Sequence, residues 1–196
     1  MGNDEALTIQ YAEHAPVRRL IDLVTYAAEG ISLDFDHWDD PTARGPGLYF
    51  VVVAGTSIDE FADPMGTNRW PTEECAALTE DFDAFFDAAG TVALGNDGAV
   101  VVVVDGTICP QMVRLKDLSA AEIAELDVSN TPEYADWMGA RHMSALDTSA
   151  RKEVVAAVTL SEETGRVTRF RDGAYTSCPR GKLGGRWRTD TDASER

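Results

Sequence analysis

Three short stretches of this chain carry residue types that can hold a phosphate together with a divalent cation. Gly95-Asn96-Asp97-Gly98-Ala99 sets a carboxylate between glycines, directly before the run Val100 to Val104. A strand buried on both faces there presents Asp97 at its mouth, on a backbone that Gly95 and Gly98 leave permissive. Gly139-Ala140-Arg141-His142 puts a guanidinium beside an imidazole, next to a glycine that allows close approach. Arginine's planar fork matches phosphate oxygens. Ser161-Glu162-Glu163-Thr164-Gly165 adds hydroxyls, loop amides and two carboxylates. Together these are the parts of a phosphate–metal site: a positive clamp, neutral donors, and acids suited to Mg²⁺ or Mn²⁺. Each also has an ordinary reading, with Asp97 a turn acid that starts a strand, Arg141 and His142 exposed helix residues, and the acidic loop a hairpin turn.

The elements that must position them follow from apolar patterning. Residues 3–29 read as a helix with Leu20, Ile21, Leu23, Val24, Ala27 and Ala28 on its inner face and Gly30 as a stop. Residues 31–47 read as a loop. The acids around His37 could ligate a metal there, but a solvated loop is the favoured reading. Leu48 to Ala54 is a buried strand, 56–72 a polar connection, and a helix capped near Thr72 runs to Gly90 with Leu78, Phe82, Phe85, Phe86 and Ala89 inward. Thr91 to Leu94 leads into the valine strand. Asp105-Gly106 signals a hairpin, so 107–115 returns antiparallel. Ser119 to Glu122 is a capping box opening a helix to about Leu126. A helix from near Pro132 carries Trp137, Met138, Arg141, His142 and Leu146. Val154 to Leu160 is a buried strand, and Val167 to Phe170 returns to an Asp172-Gly173 turn. This order predicts an α/β fold, a mixed central β-sheet flanked by helices. The divisions expected are 1–45 (helix and loop), 46–175 (the site-bearing domain) and 176–196 (a tail mobile near its end).

Composition narrows the function classes. The chain has 196 residues, 44% hydrophobic and 26% charged, as in water-soluble globular domains. No apolar run approaches the ~20 residues of a membrane span, and the N-terminus lacks the pattern of a signal peptide. Cys75, Cys109 and Cys178 are widely spaced and odd in number, which suits packing residues in a reducing cytoplasm. The net charge is −17, and Lys116, Lys152 and Lys182 are the only lysines. Such an acid excess destabilises the compact state by self-repulsion. Salt of about 1 M shortens the Debye length to roughly 3 Å and removes most of it. A salt-rich cytosol is therefore expected, and a general nucleic-acid surface is not. Walker and Rossmann glycine loops, nucleophile elbows and zinc-protease helices are absent from the sequence.

In order and spacing, NDGAVVVV (96–103), MVRLKDLS (112–119), MGARHMSAL (138–146) and VVAAVTLSEETGRV (154–167) resemble the diadenylate cyclase family. The resemblance covers roughly Leu48 to Gly173, and the acidic composition looks like the haloarchaeal branch. It implies synthesis of cyclic di-AMP from two ATP with release of two pyrophosphates, the 3′-hydroxyl of each ATP attacking the α-phosphate of the other. It implies that Asp97 binds the catalytic cation (Mg or Mn) and activates the hydroxyl, and that Gly98 and Ala99 line the nucleotide. The Leu115 backbone would meet adenine, and Arg141 and His142 would be the first two residues of the phosphate motif. Ser161 would be a triphosphate contact and Glu162 a metal-side acid. Two sites must face each other, so a homodimer or higher oligomer is implied.

The match departs from the family at three places. Met143 stands where a second arginine is usual, Ala140 where threonine is usual, and Asn96 where bacterial relatives often have histidine. Arg169, Arg171, Lys116 or ions from a salty cytosol are the candidates to replace the lost cation. The rival readings are a module of the same fold that binds ATP or cyclic di-AMP without synthesis, and an assembly protein whose valine-rich sheet is only scaffold.

Overall fold

Every residue of Leu48–Val53 (β1) and Val154–Leu160 (β5) is buried, and these two strands form the centre of the molecule. The computed structural model describes residues 10–55, 58–79, 81–126 and 131–184. β-Branched residues fill both faces of a pleated strand well, which is why these valine-rich apolar runs are buried on both sides. The five-stranded sheet has the order β3-β1-β5-β6-β7, adding Val100–Val103 (β3), Val167–Arg171 (β6) and Ala174–Cys178 (β7). β3 lies parallel to β1 and the other pairings are antiparallel, so the sheet is mixed.

Period-two alternation splits the core into two layers. Leu48, Phe50, Val52, Val100 and Val102 face Ala15–Asp34 (α1) and Phe82–Gly95 (α2). Tyr49, Val51, Val53, Val101 and Val103 face the opposite layer. That layer is built from Ala140–Ser149 (α4) and a ribbon of Ala62–Arg69 (β2) with Gln111–Leu115 (β4). A register shift opposite Val52 and Val53 places Val155 and Ala156 consecutively on the α1/α2 side. The helix Ala120–Glu125 (α3) opens on the expected capping box, with Ser119 and Glu122 bonded reciprocally. Among the described residues, no helix is long and apolar enough to cross a membrane.

Several boundaries differ from the sequence expectation, each for a visible reason. α1 begins at Ala15 with proline in its first turn and runs through Gly30 to Asp34. Residues 3–9 of the expected helix lie outside the described residues. A Cβ on Gly30 would stand 2.6 Å from Phe86 Cε2, so this glycine lets two helices approach rather than ending one. The expected helix at Thr72 is instead irregular chain, and α2 starts where Asp81 accepts a bond from Ala84 N. It continues past Gly90 to Gly95, so residues 91–94 are helical. The connection 56–72 contains β2, an exposed strand whose Pro64 lies in a pairing that needs no N–H from it. After the Asp105-Gly106 turn Thr107 to Cys109 return antiparallel along β3 and Val113 pairs with Ala99 at its entrance, while β4 also pairs with β2. α4 begins at Ala140, leaving Trp137 and Met138 in the preceding turn, and β7 extends the sheet where a tail was expected.

Candidate functional site

The C-terminal end of β5 and the N-terminal ends of β1, β3 and β6 lie at one edge of the sheet, where α4 and β4 wall off a cavity of about 510 Å³. That volume suits a ligand of nucleotide size. Residues of all three chemistry-bearing stretches line it, together with Leu115. Asp97, Gly98 and Ala99 come from the entrance to β3, Arg141 and His142 from the first turn of α4, and Ser161 and Glu162 from the β5–β6 loop.

Asp97 is held by its backbone and left open at its carboxylate. Asn68 Nδ2 donates to its carbonyl at 2.7 Å, and its Oδ1 accepts from Gly98 N at 2.8 Å. The side chain is 63% exposed. Gly98 adopts φ +104, a left-handed value that favours glycine, and a Cβ there would meet Met65 and the Val113 carbonyl at 3.1 Å. Ala99 exchanges both backbone bonds with Val113, at 2.7 and 3.0 Å. Lys116 N bonds the Phe61 carbonyl, so the alternation of the β2–β4 ladder turns the N–H and C=O of Leu115 away from β2. They point to the side on which Val113 meets Ala99, along the wall of the cavity.

Arg141 lies between the two acids. Its Nη2 is 3.6 Å from Asp97 Oδ1 and 3.3 Å from Glu162 Oε2, and its side chain is 20% exposed. Partial burial works against ionisation of Glu162, but the hydrogen bond from Arg44 and the charge of Arg141 outweigh it and hold its carboxyl below the usual range. No side chain caps α4, so its first amides and its dipole face the cavity past Gly139 and Ala140.

His142 is not the exposed helix residue that the ordinary reading required. Its ring is buried, with Trp137 edge-on at 5.1 Å and Phe170 at 6.4 Å, and its Nε2 is buried with no hydrogen-bond partner. Burial, and then the charges of Arg141 and Arg166, push its pKa down to about 4. The imidazole is therefore neutral near pH 7 and offers a hydrogen bond rather than a charge. Ser161 is also buried, and its Oγ accepts from Thr164 Oγ1 at 3.1 Å.

The proposed substitutes for the missing arginine lie elsewhere. Arg169 pairs with Asp22, Arg171 with Glu13 and Asp172, and Lys116 with Asp63. Met143 does not line the cavity. At about 100° per residue it sits on the far side of α4 from Arg141. Sequence reasoning missed Arg44, Met65, Trp137 and Arg166. The last follows the acidic loop directly, and that adjacency is the signal that could have found it.

Among the described residues, no three acids, histidines or cysteines cluster into a ready metal centre, the His37 loop included. Asp97 and Glu162 nevertheless converge on one guanidinium nitrogen. Two hard carboxylates of that kind suit Mg²⁺ or Mn²⁺ when a nucleotide brings the remaining oxygens, because these ions keep water and phosphate ligands.

No family model matches the sequence, and no curated protein matches it. Among solved structures, the chain is similar to a hypothetical membrane spanning protein from Bacillus cereus, with a TM-score of 0.53 and 20% identity over 80% of this chain. The match takes in 62% of that other chain, so less than two thirds of its length is represented here. The shared property is the fold. A double mutant of DacA from Staphylococcus aureus aligns with a TM-score of 0.47 and 19% identity, covering 82% of this chain and 86% of the other.

Proposed function

We propose that the chain is a diadenylate cyclase, joining two ATP molecules into cyclic di-AMP with loss of two pyrophosphates. One observation carries the reading: stretches far apart in sequence, each resembling a motif of that family, line a single cavity of nucleotide size. A scaffold role would not require Asp97, Arg141 and Ser161 to share one cavity.

In this reading adenine lies by the free backbone edge of Leu115, the ribose by Asp97, and the phosphates by Arg141, His142, Ser161 and the first amides of α4. Asp97 and Glu162 hold the divalent ion that accompanies the nucleotide. That ion supplies charge neutralisation and lowers the pKa of the attacking hydroxyl. Arg141, then relieved of its two acids, turns its fork to phosphate oxygens. Neutral His142 gives one hydrogen bond from a buried ring, where such a bond is stronger. Two copies meeting with their cavities opposed bring each 3′-hydroxyl in line with the other α-phosphate.

The test is incubation of the full chain with ATP and Mn²⁺ or Mg²⁺ in molar salt. Formation of cyclic di-AMP that disappears in Asp97→Asn is the expected result, and ATP left intact rejects the enzyme. Met143, in place of the usual second arginine and off the cavity wall, favours a second reading in which the cavity binds ATP or cyclic di-AMP without turnover. Saturable nucleotide binding without product is its signature.

A further inference from the structure

Arg166 is half-buried on the cavity wall, yet it makes no ion pair with any described carboxylate. The other described arginines outside ion pairs (Arg18, Arg19, Arg69 and Arg180) are exposed, where water solvates the charge. In a chain with twice as many acids as bases, a sheltered cation left without an acid is unusual. Desolvating a guanidinium is costly unless something compensates it.

The side chain is also fixed. Its Cζ stacks on the Trp137 ring at 4.4 Å and its Nη1 donates to Ser177 Oγ at 3.0 Å. The other guanidinium nitrogens have no acceptor among the described residues. A second, independent orphan belongs to a cavity-lining residue of α4: the buried Nε2 of His142, on a residue 6% exposed. A pre-oriented cation and an unused imidazole nitrogen together ask for an anionic oxygen.

Sheet order says which part of a ligand reaches them. β3, β1, β5 and β6 lie side by side, so at about 4.8 Å per strand the β6 end is about 14 Å from the Asp97 end. Leu115 lies beyond Asp97, on β4. An extended nucleotide with its base at Leu115 and its ribose at Asp97 therefore brings the far end of its phosphate chain to β6.

We propose that Arg166, held flat by Trp137, binds the terminal phosphates of the nucleotide and supplies the cation that position 143 lacks. This rests on the nucleotide reading of the cavity, but not on turnover. Arg166 distinguishes triphosphate from monophosphate.

The experiment compares affinities of the full chain for α,β-methylene ATP and for AMP, by calorimetry with Mg²⁺ present. Arg166→Gln should bind the triphosphate analogue at least about tenfold more weakly, with AMP affinity within about twofold of the parent. Arg166→Lys should recover part of the loss. Equal weakening for both ligands would show a structural role and overturn the proposal, as would no weakening at all. Failure of the parent chain to bind either ligand sinks this proposal and the nucleotide reading together. A loss in Arg166→Gln confined to the triphosphate analogue, in a chain that makes no cyclic di-AMP, supports Arg166 and rejects only the cyclase.

Discussion

Gly47 and Arg141 are in contact so close that a Cβ on Gly47 would lie 2.6 Å from Arg141 Nη1, with Glu162 Oε2 at 2.9 Å. The loop before β1 thus leaves out a methyl group to make room for the guanidinium. Gly47→Ala should displace the mobile end of Arg141 rather than the backbone. Its stability cost is expected to stay within about 1 kcal/mol, since alanine also restricts the unfolded chain. Nucleotide affinity should fall by about tenfold as Arg141 and Glu162 lose their alignment. Thermal melting and calorimetry on the same sample separate the two effects; a large loss of melting temperature with affinity intact would refute this.

His142 predicts a pH dependence with a definite sign. Its pKa falls to about 4 in the fold through burial and the nearby arginines, against 6.5 for the free side chain. The unfolded chain therefore binds more protons between those values, and stability rises with pH there. The contribution is complete above about pH 6.5, is lost as pH falls towards 4, and amounts to about 3 kcal/mol at 1.36 kcal/mol per unit. Denaturant titrations from pH 4 to 7 should show this slope in the parent and a flatter one in His142→Gln. Identical slopes would mean that the imidazole is not buried neutral.

The elements carried by continuous valine were readable from sequence because both of their faces meet core. β2 was not, since Pro64, Gly66 and a largely exposed surface hide a strand that exists only through its pairing with β4. Gly30 and Gly90 looked like helix stops because a sequence does not tell a glycine that ends a helix from one within it. At Gly30 the reason is Phe86, far away in the chain. The motif residues of the site were legible as chemistry, but their convergence needed the strand order. Arg166 and Trp137 sit at the margins of two of those stretches, and their pairing appears only when the start of β6 and the turn before α4 meet.

Arg151 and Glu122 form a second sheltered pair, with a structural consequence. Arg151 is 6% exposed, its Nε is 2.8 Å from Glu122 Oε1, and its Nη2 donates to the carbonyls of Lys116 and Asp117. Glu122 also closes the capping box of α3. The hydrogen bonds of Ser119, with Arg151 helping, hold its pKa down to about 2. Glu122→Ala removes a cap and strands a buried cation, so a loss of about 2–4 kcal/mol is expected by denaturant unfolding. Because the folded pKa is depressed, the parent keeps this stability above about pH 4.5 and loses it as pH falls towards 2. The variant should lack that acid transition, and a variant as stable as the parent would show that Arg151 is held by its backbone carbonyls alone.

Salt should stabilise this fold, although it weakens the surface ion pairs. Pairs such as Lys152–Glu125 and Arg169–Asp22 are solvent-exposed and each is worth about 0–1 kcal/mol at most. The opposing effect is the repulsion of a net charge of −17, which acts among all the acids at once. Screening at about 1 M removes repulsion beyond roughly 3 Å, whereas contact pairs lose only part of their attraction. Repulsion therefore wins, and the melting temperature should climb steadily from dilute buffer to molar potassium chloride. Choline chloride at equal ionic strength should raise it similarly, because screening does not depend on the identity of the cation. A melting temperature that stays flat or falls with both salts would mean that the acid excess places no load on the folded state.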